Sequence, residues 1–66
     1  MQLHINGEAR EFHDGVTCAD LVSSLELDVR KIAIERNLEV VPRETFADVR
    51  LCEGDNLEII HFIGGG

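Results

Sequence analysis

Leu57-Glu58-Ile59-Ile60-His61-Phe62-Ile63-Gly64-Gly65-Gly66 closes the sequence, and the fold is read outward from it. Its first seven residues are mostly apolar and of the types that favour an extended strand, and three glycines follow with no polar linker between. Glycine lacks a Cβ and reaches backbone conformations closed to other residues, so three in succession make a thin, pliant cord suited to threading a narrow channel. A terminal α-carboxylate has an ordinary pKa near ~3.5, and at Gly66 no side chain crowds it. The expected arrangement is a cord rooted in a sheet, with the Gly66 carboxylate at its tip as the reacting group. Glycines at a chain end are equally the mark of a frayed terminus. The direct junction of strand and glycine favours delivery.

Bulk properties narrow the function classes. A chain of 66 residues makes one domain, and at that size folding buries only about 60% of the surface an unfolded chain exposes. Nearly all apolar residues are then needed for the core, which leaves little material for a cleft and argues against a self-sufficient enzyme. Asp and Glu number 13 against 6 Lys and Arg, a net charge of −7. That charge repels phosphate backbones and anionic membranes, and it favours a protein partner with a basic patch. The longest run of aliphatic residues, Ile32-Ala33-Ile34, is far short of the ~20 needed to cross a bilayer. No basic-then-apolar leader opens the sequence. A soluble, cytoplasmic protein is expected, with no nucleic-acid or membrane partner.

Upstream of the closing stretch, Met1, Leu3 and Ile5 alternate with polar residues as in a half-buried strand. Asn6-Gly7 supplies the two residues that tolerate positive φ in a type I′ hairpin turn, and Glu8 to Phe12 forms the return strand. After the break at His13-Asp14-Gly15, Thr17 and Asp20 have the spacing of a capping box, with Val16 and Leu21 as its hydrophobic staple. Cys18, Leu21, Val22 and Leu25 then make one apolar stripe on a helix of two to three turns, while Asp20, Ser23, Ser24 and Glu26 face water. Lys31 to Arg36, the turn Asn37-Leu38, and Glu39 to Val41 read as a second hairpin stopped by Pro42. Arg43 to Ala47 suits a single helical turn that carries Phe46 inward. Val49 and Leu51 form a brief extended piece before the turn at Glu53-Gly54-Asp55. The core expected between sheet and helix is Leu3, Ile5, Leu21, Leu25, Ile32, Ile34, Leu57 and Ile59.

The last strand is apolar on both faces. Leu57 and Ile59 point one way, and Ile60 and Phe62 point the other with Glu58. With a single helix to cover the sheet, Ile60 and Phe62 are expected as an exposed apolar patch beside the tail, unless a loop or the turn after Pro42 covers them. Other sites read poorly. His13, Asp14 and Cys18 suggest a nucleophilic constellation, but the first two fall in a turn and Cys18 faces the core. Cys18 and Cys52 match no metal or redox spacing and read as reduced, small hydrophobes. The three histidines lack the ligand spacing of a metal site.

Two hairpins around one helix, with the last strand parallel to the first, is the α+β arrangement of the β-grasp: a mixed sheet of about four to five strands with the helix packed on one face. It spans residues 1–63, and 64–66 form the tail. The sequence resembles the thiamin-biosynthesis sulfur carrier family of ubiquitin-like proteins over its whole length. The resemblance lies in the opening strand with Asn6-Gly7, in Val41-Pro42-Arg43-Glu44 before an aromatic residue, and in Gly54-Asp55-Asn56-Leu57-Glu58-Ile59 running to Ile63-Gly64-Gly65-Gly66. It also resembles the small subunit of molybdopterin synthase, which usually runs longer. Phe46 stands where the thiamin family often has tryptophan.

The resemblance implies a carrier that is not an enzyme. A ubiquitin-activating-like adenylyltransferase would use ATP and magnesium to turn the Gly66 carboxylate into an acyl-adenylate. A persulfide donor of the cysteine desulfurase kind would replace AMP to leave a thiocarboxylate. Thiazole synthase would take the sulfur into the thiazole ring of thiamin. The chain itself would bind no cofactor, and its partners would meet Ile60, Phe62, Ile63, Gly64 and Gly65. A ubiquitin-like modifier joined to lysines through Gly66, and a plain interaction domain, are the readings from other classes.

Overall fold

The computed structural model describes residues 1–62; Ile63, Gly64, Gly65 and Gly66, and with them the expected tail, lie outside the described residues. Strand β1 (Gln2–Ile5) turns through Asn6-Gly7 into β2 (Glu8–Glu11). Both turn residues have positive φ, 50° and 85°, as a type I′ turn requires. Helix α1 (Cys18–Ser24) follows. Its capping box is complete, with Thr17 Oγ1 accepting from the Asp20 amide and Asp20 Oδ2 accepting from the Thr17 amide, both at 3.1 Å. A 3₁₀ turn (Val29–Lys31) leads into β3 (Ile32–Arg36) and β4 (Glu39–Val41). A second 3₁₀ turn (Arg43–Thr45) precedes β5 (Asn56–His61).

The strands form one sheet in the order β2-β1-β5-β3-β4, with β1 and β5 parallel at its centre and the other neighbours antiparallel. Leu3, Ile5, Ile32, Ile34, Val41, Leu57 and Ile59 line the face that meets Cys18, Leu21 and Val22 of the helix. Val16, Phe46 and Leu51 complete this buried cluster. Phe46 does turn inward, and the piece around Leu51 bridges Thr17 to Arg50.

Two expectations shift. Leu25 is only partly buried, because the helix ends at Ser24 and Leu25 is its C-cap. Glu26 takes φ 57°, and the amides of Glu26 and Leu27 bond back to the carbonyls of Ser23 and Val22 in a Schellman closure. The stripe therefore loses its last member. Cys52 is exposed rather than a small core residue, whereas Cys18 is buried; both are free thiols.

Candidate partner-binding face and the root of the tail

β5 carries the chain toward the glycines, and its pairing changes along its length. Near its start it pairs with β1 at His4↔Asn56 and Ile5↔Leu57. β1 then leaves the sheet through its turn, and the Asn6 side chain takes over the ladder. Asn6 Oδ1 accepts from the Ile59 amide at 2.7 Å, and Nδ2 donates to the Ile59 carbonyl at 3.4 Å. On the other side β3 pairs through Ala33↔Ile60 and Ile32↔His61, and the Phe62 amide donates to the Lys31 carbonyl at 2.9 Å. The strand is thus hydrogen-bonded on the β3 side through Phe62, the last described residue.

Ile60 and Phe62 fall where the strand alternation predicts, on the face away from the helix, and are 41% and 52% exposed. The turn after Pro42 does not cover them; it seals the core on the opposite face through Phe46. The patch is larger than the last strand suggests. Leu38 is 92% exposed and Val40 is also exposed. Leu38, Ile60, His4, Glu35 and Glu58 line a surface groove of about 770 Å³. Leu38 sits at the second position of a type I′ turn with φ 73°, a conformation that costs a side-chain-bearing residue roughly 1–3 kcal/mol. Leucine where glycine would relax the turn is the sequence signal that marks this residue.

The hairpin bearing Leu38 is fixed from below by Asp55, which is buried. Its carboxylate accepts from Arg36 Nε at 2.8 Å, from Asn37 Nδ2 at 3.1 Å and from the Cys52 amide at 2.8 Å. Burial works to raise the Asp55 pKa, but the Cys52 amide, Asn37 and Arg36 together outweigh it and hold the carboxyl below the usual carboxylate range.

The constellation of His13, Asp14 and Cys18 does not assemble. Cys18 is fully buried, and burial pushes its thiol pKa up. His13 instead faces Asp20, 4.0 Å away. Among the described residues no group of three or more His, Cys, Asp or Glu side chains is placed to hold a metal ion, and no helix is long and apolar enough to cross a membrane. The expected site residues Ile63, Gly64, Gly65 and Gly66 lie outside the described residues.

The profile of the ThiS family matches residues 3–66. The sulfur carrier protein ThiS of Bacillus subtilis (strain 168) is 38% identical over 65 residues, covering 97% of this chain and 98% of that protein. The thiazole synthase of Paramagnetospirillum magneticum (strain AMB-1) is 52% identical over 66 residues; the match takes in 100% of this chain but spans only 20% of the synthase. A crystal structure of the thiamine biosynthesis protein ThiS from Geobacter metallireducens shares the β-grasp fold with a TM-score of 0.86 at 30% identity, covering 100% of both chains. With a profile matched from its first strand through its glycines and a sulfur carrier relative matched over nearly its whole length, this chain belongs to the ThiS family.

Proposed function

We propose that this chain is a sulfur carrier for thiamin synthesis, a protein co-substrate whose reacting group is the Gly66 carboxylate. One observation carries the reading: the family match runs through residue 66, so the glycines belong to the matched domain. The sheet supports it by holding β5 on the β1 side as far as Ile59 and on the β3 side as far as Phe62. A bare carboxylate acylates poorly and needs activation. In a partner adenylyltransferase, with ATP and magnesium, a Gly66 carboxylate oxygen attacks the α-phosphorus and pyrophosphate leaves. The terminal sulfur of a protein persulfide then attacks the acyl carbon and AMP leaves. A thiol takes the donor's remaining sulfur as a disulfide, which frees the thiocarboxylate for thiazole synthase. The existence of a thiazole synthase that contains a stretch 52% identical to this whole chain supports that last partner. Ile60, Phe62, Ile63, Gly64 and Gly65 are the residues the partners meet, with the glycines entering a channel too narrow for side chains.

The test is ATP–pyrophosphate exchange with the adenylyltransferase of the same organism. Gly65→Val should slow exchange strongly while the domain stays folded, since a β-branched side chain stiffens the backbone and crowds the channel. Exchange at the native rate in this variant would remove the glycine cord from the reaction.

A further inference from the structure

We infer that the groove around Leu38 and Ile60 is the seat of thiazole synthase, whose matching surface offers an arginine to the facing carboxylates of Glu35 and Glu58 and apolar side chains to the rest. The inference rests on the carrier reading and assigns the recognising residues to that partner. Glu35 and Glu58 stand directly opposite each other on β3 and β5, and neither is in an ion pair among the described residues. Like charges placed across a strand pair work against the free domain. Leu38, beside them, is held at positive φ with nearly its whole side chain in water. Two choices unfavourable to the isolated fold thus meet on one groove, which is where a sequence shaped for a bound state departs from one shaped for stability alone.

Three observations point to the occupant. The thiazole synthase of the Paramagnetospirillum relative includes a copy of this domain as a fifth of its length, so the two are found side by side in one protein. The domain carries a net charge of −7, which calls for a basic counterpart. The groove is also continuous with the strand that leads to the glycines, so a partner seated on Ile60 stands at the root of the tail. Arginine suits the acid pair because its planar fork reaches two carboxylates at once.

The experiment measures binding to the thiazole synthase of the organism that makes this chain, with Glu35→Gln, Glu58→Gln and Leu38→Gly, beside the thermal midpoint of each free variant. Each substitution should weaken binding at least about tenfold, as expected for central contacts. The two Gln variants should also raise the midpoint of the free domain by about 2–4 °C and Leu38→Gly by about 4–8 °C, because each relieves a local conflict. The two Gln variants should show a shallower dependence of affinity on salt. A variant that weakens binding and lowers the midpoint serves the fold and counts against the inference, as does native affinity in all three. A native chain that takes up sulfur but does not bind the synthase overturns the docking surface and leaves the carrier reading standing; one that does neither sinks both.

Discussion

Replacing Asp55 by Ala tests whether the hairpin that carries Leu38 is held by a single buried carboxylate. The substitution removes three acceptor contacts, two of them at 2.8 Å, and leaves the Cys52 amide and the Arg36 guanidinium without their partner. Hydrogen bonds to a charged group contribute about 1.5–3 kcal/mol, and stranding a buried partner adds a desolvation cost. Arg36 is partly exposed and regains some solvation, so the loss should come to about 3 kcal/mol rather than the larger figure of a fully buried pair. A chain of 66 residues has only about 3–10 kcal/mol in total at ordinary stability per residue. The midpoint should therefore fall by about 12–24 °C. The pH dependence supplies the sign. The folded Asp55 pKa lies below its unfolded value near ~3.9, so its contribution is fully present above that value and is lost as pH falls through the folded pKa. The gap between native and variant stability, followed by circular dichroism in urea at successive pH values, should be constant from pH 7 to about 5 and close below about 4. Other carboxylates titrate in both proteins and cancel in the difference. A gap under about 0.5 kcal/mol at pH 7, or one that survives unchanged into acid, would refute the role of Asp55.

Three further outcomes are expected. Leu21→Ala, at a fully buried helix position, should cost about 2–5 kcal/mol, whereas Leu25→Ala at the C-cap should cost about 1–2; equal losses in urea titrations would return Leu25 to the core. Asn6→Ala removes both side-chain bonds to Ile59 and places at positive φ a residue whose Cβ disfavours it, so stability should drop by about 2 kcal/mol, and amide exchange at Ile59 should speed up more than at Ile34. Ile60→Asp and Phe62→Asp should leave the domain folded, because both side chains lie on the open face outside the buried cluster, yet weaken binding to the adenylyltransferase by about 2 kcal/mol or more. Unaltered affinity by calorimetry would clear them of a role in that contact.

Local chemistry made most of the fold legible. Asn6-Gly7 and the Thr17–Asp20 box announce a turn and a helix start without tertiary context, and strand alternation is enough to send Ile60 and Phe62 to the open face. Leu25 departs from the stripe because spacing does not say where a helix stops, and here Glu26 closes it without the glycine that usually signals an end. The sequence shows Asp55 only as a turn residue, because its partners Arg36 and Asn37 lie 19 and 18 positions away. The facing of Glu35 and Glu58 depends on the register of two strands that the hydrophobic pattern aligns only to a face. Asn6 carries a second role, pairing with β5 through its side chain, that no dipeptide signal contains.

The central claim is that sulfur is loaded on the Gly66 carboxylate, and intact-mass measurement tests it most directly. The chain is incubated with its adenylyltransferase, ATP, magnesium and a persulfide donor with a thiol, beside a variant extended by one residue past Gly66. The native chain should gain the mass of one sulfur exchanged for one oxygen, with no heavier conjugates on a denaturing gel. The extended variant should fold normally and gain nothing, since its carboxylate is displaced from the geometry in which reacting atoms approach to about 3–3.5 Å. An extended variant that gains sulfur as readily as the native chain, or a native chain that gains none, would contradict the account.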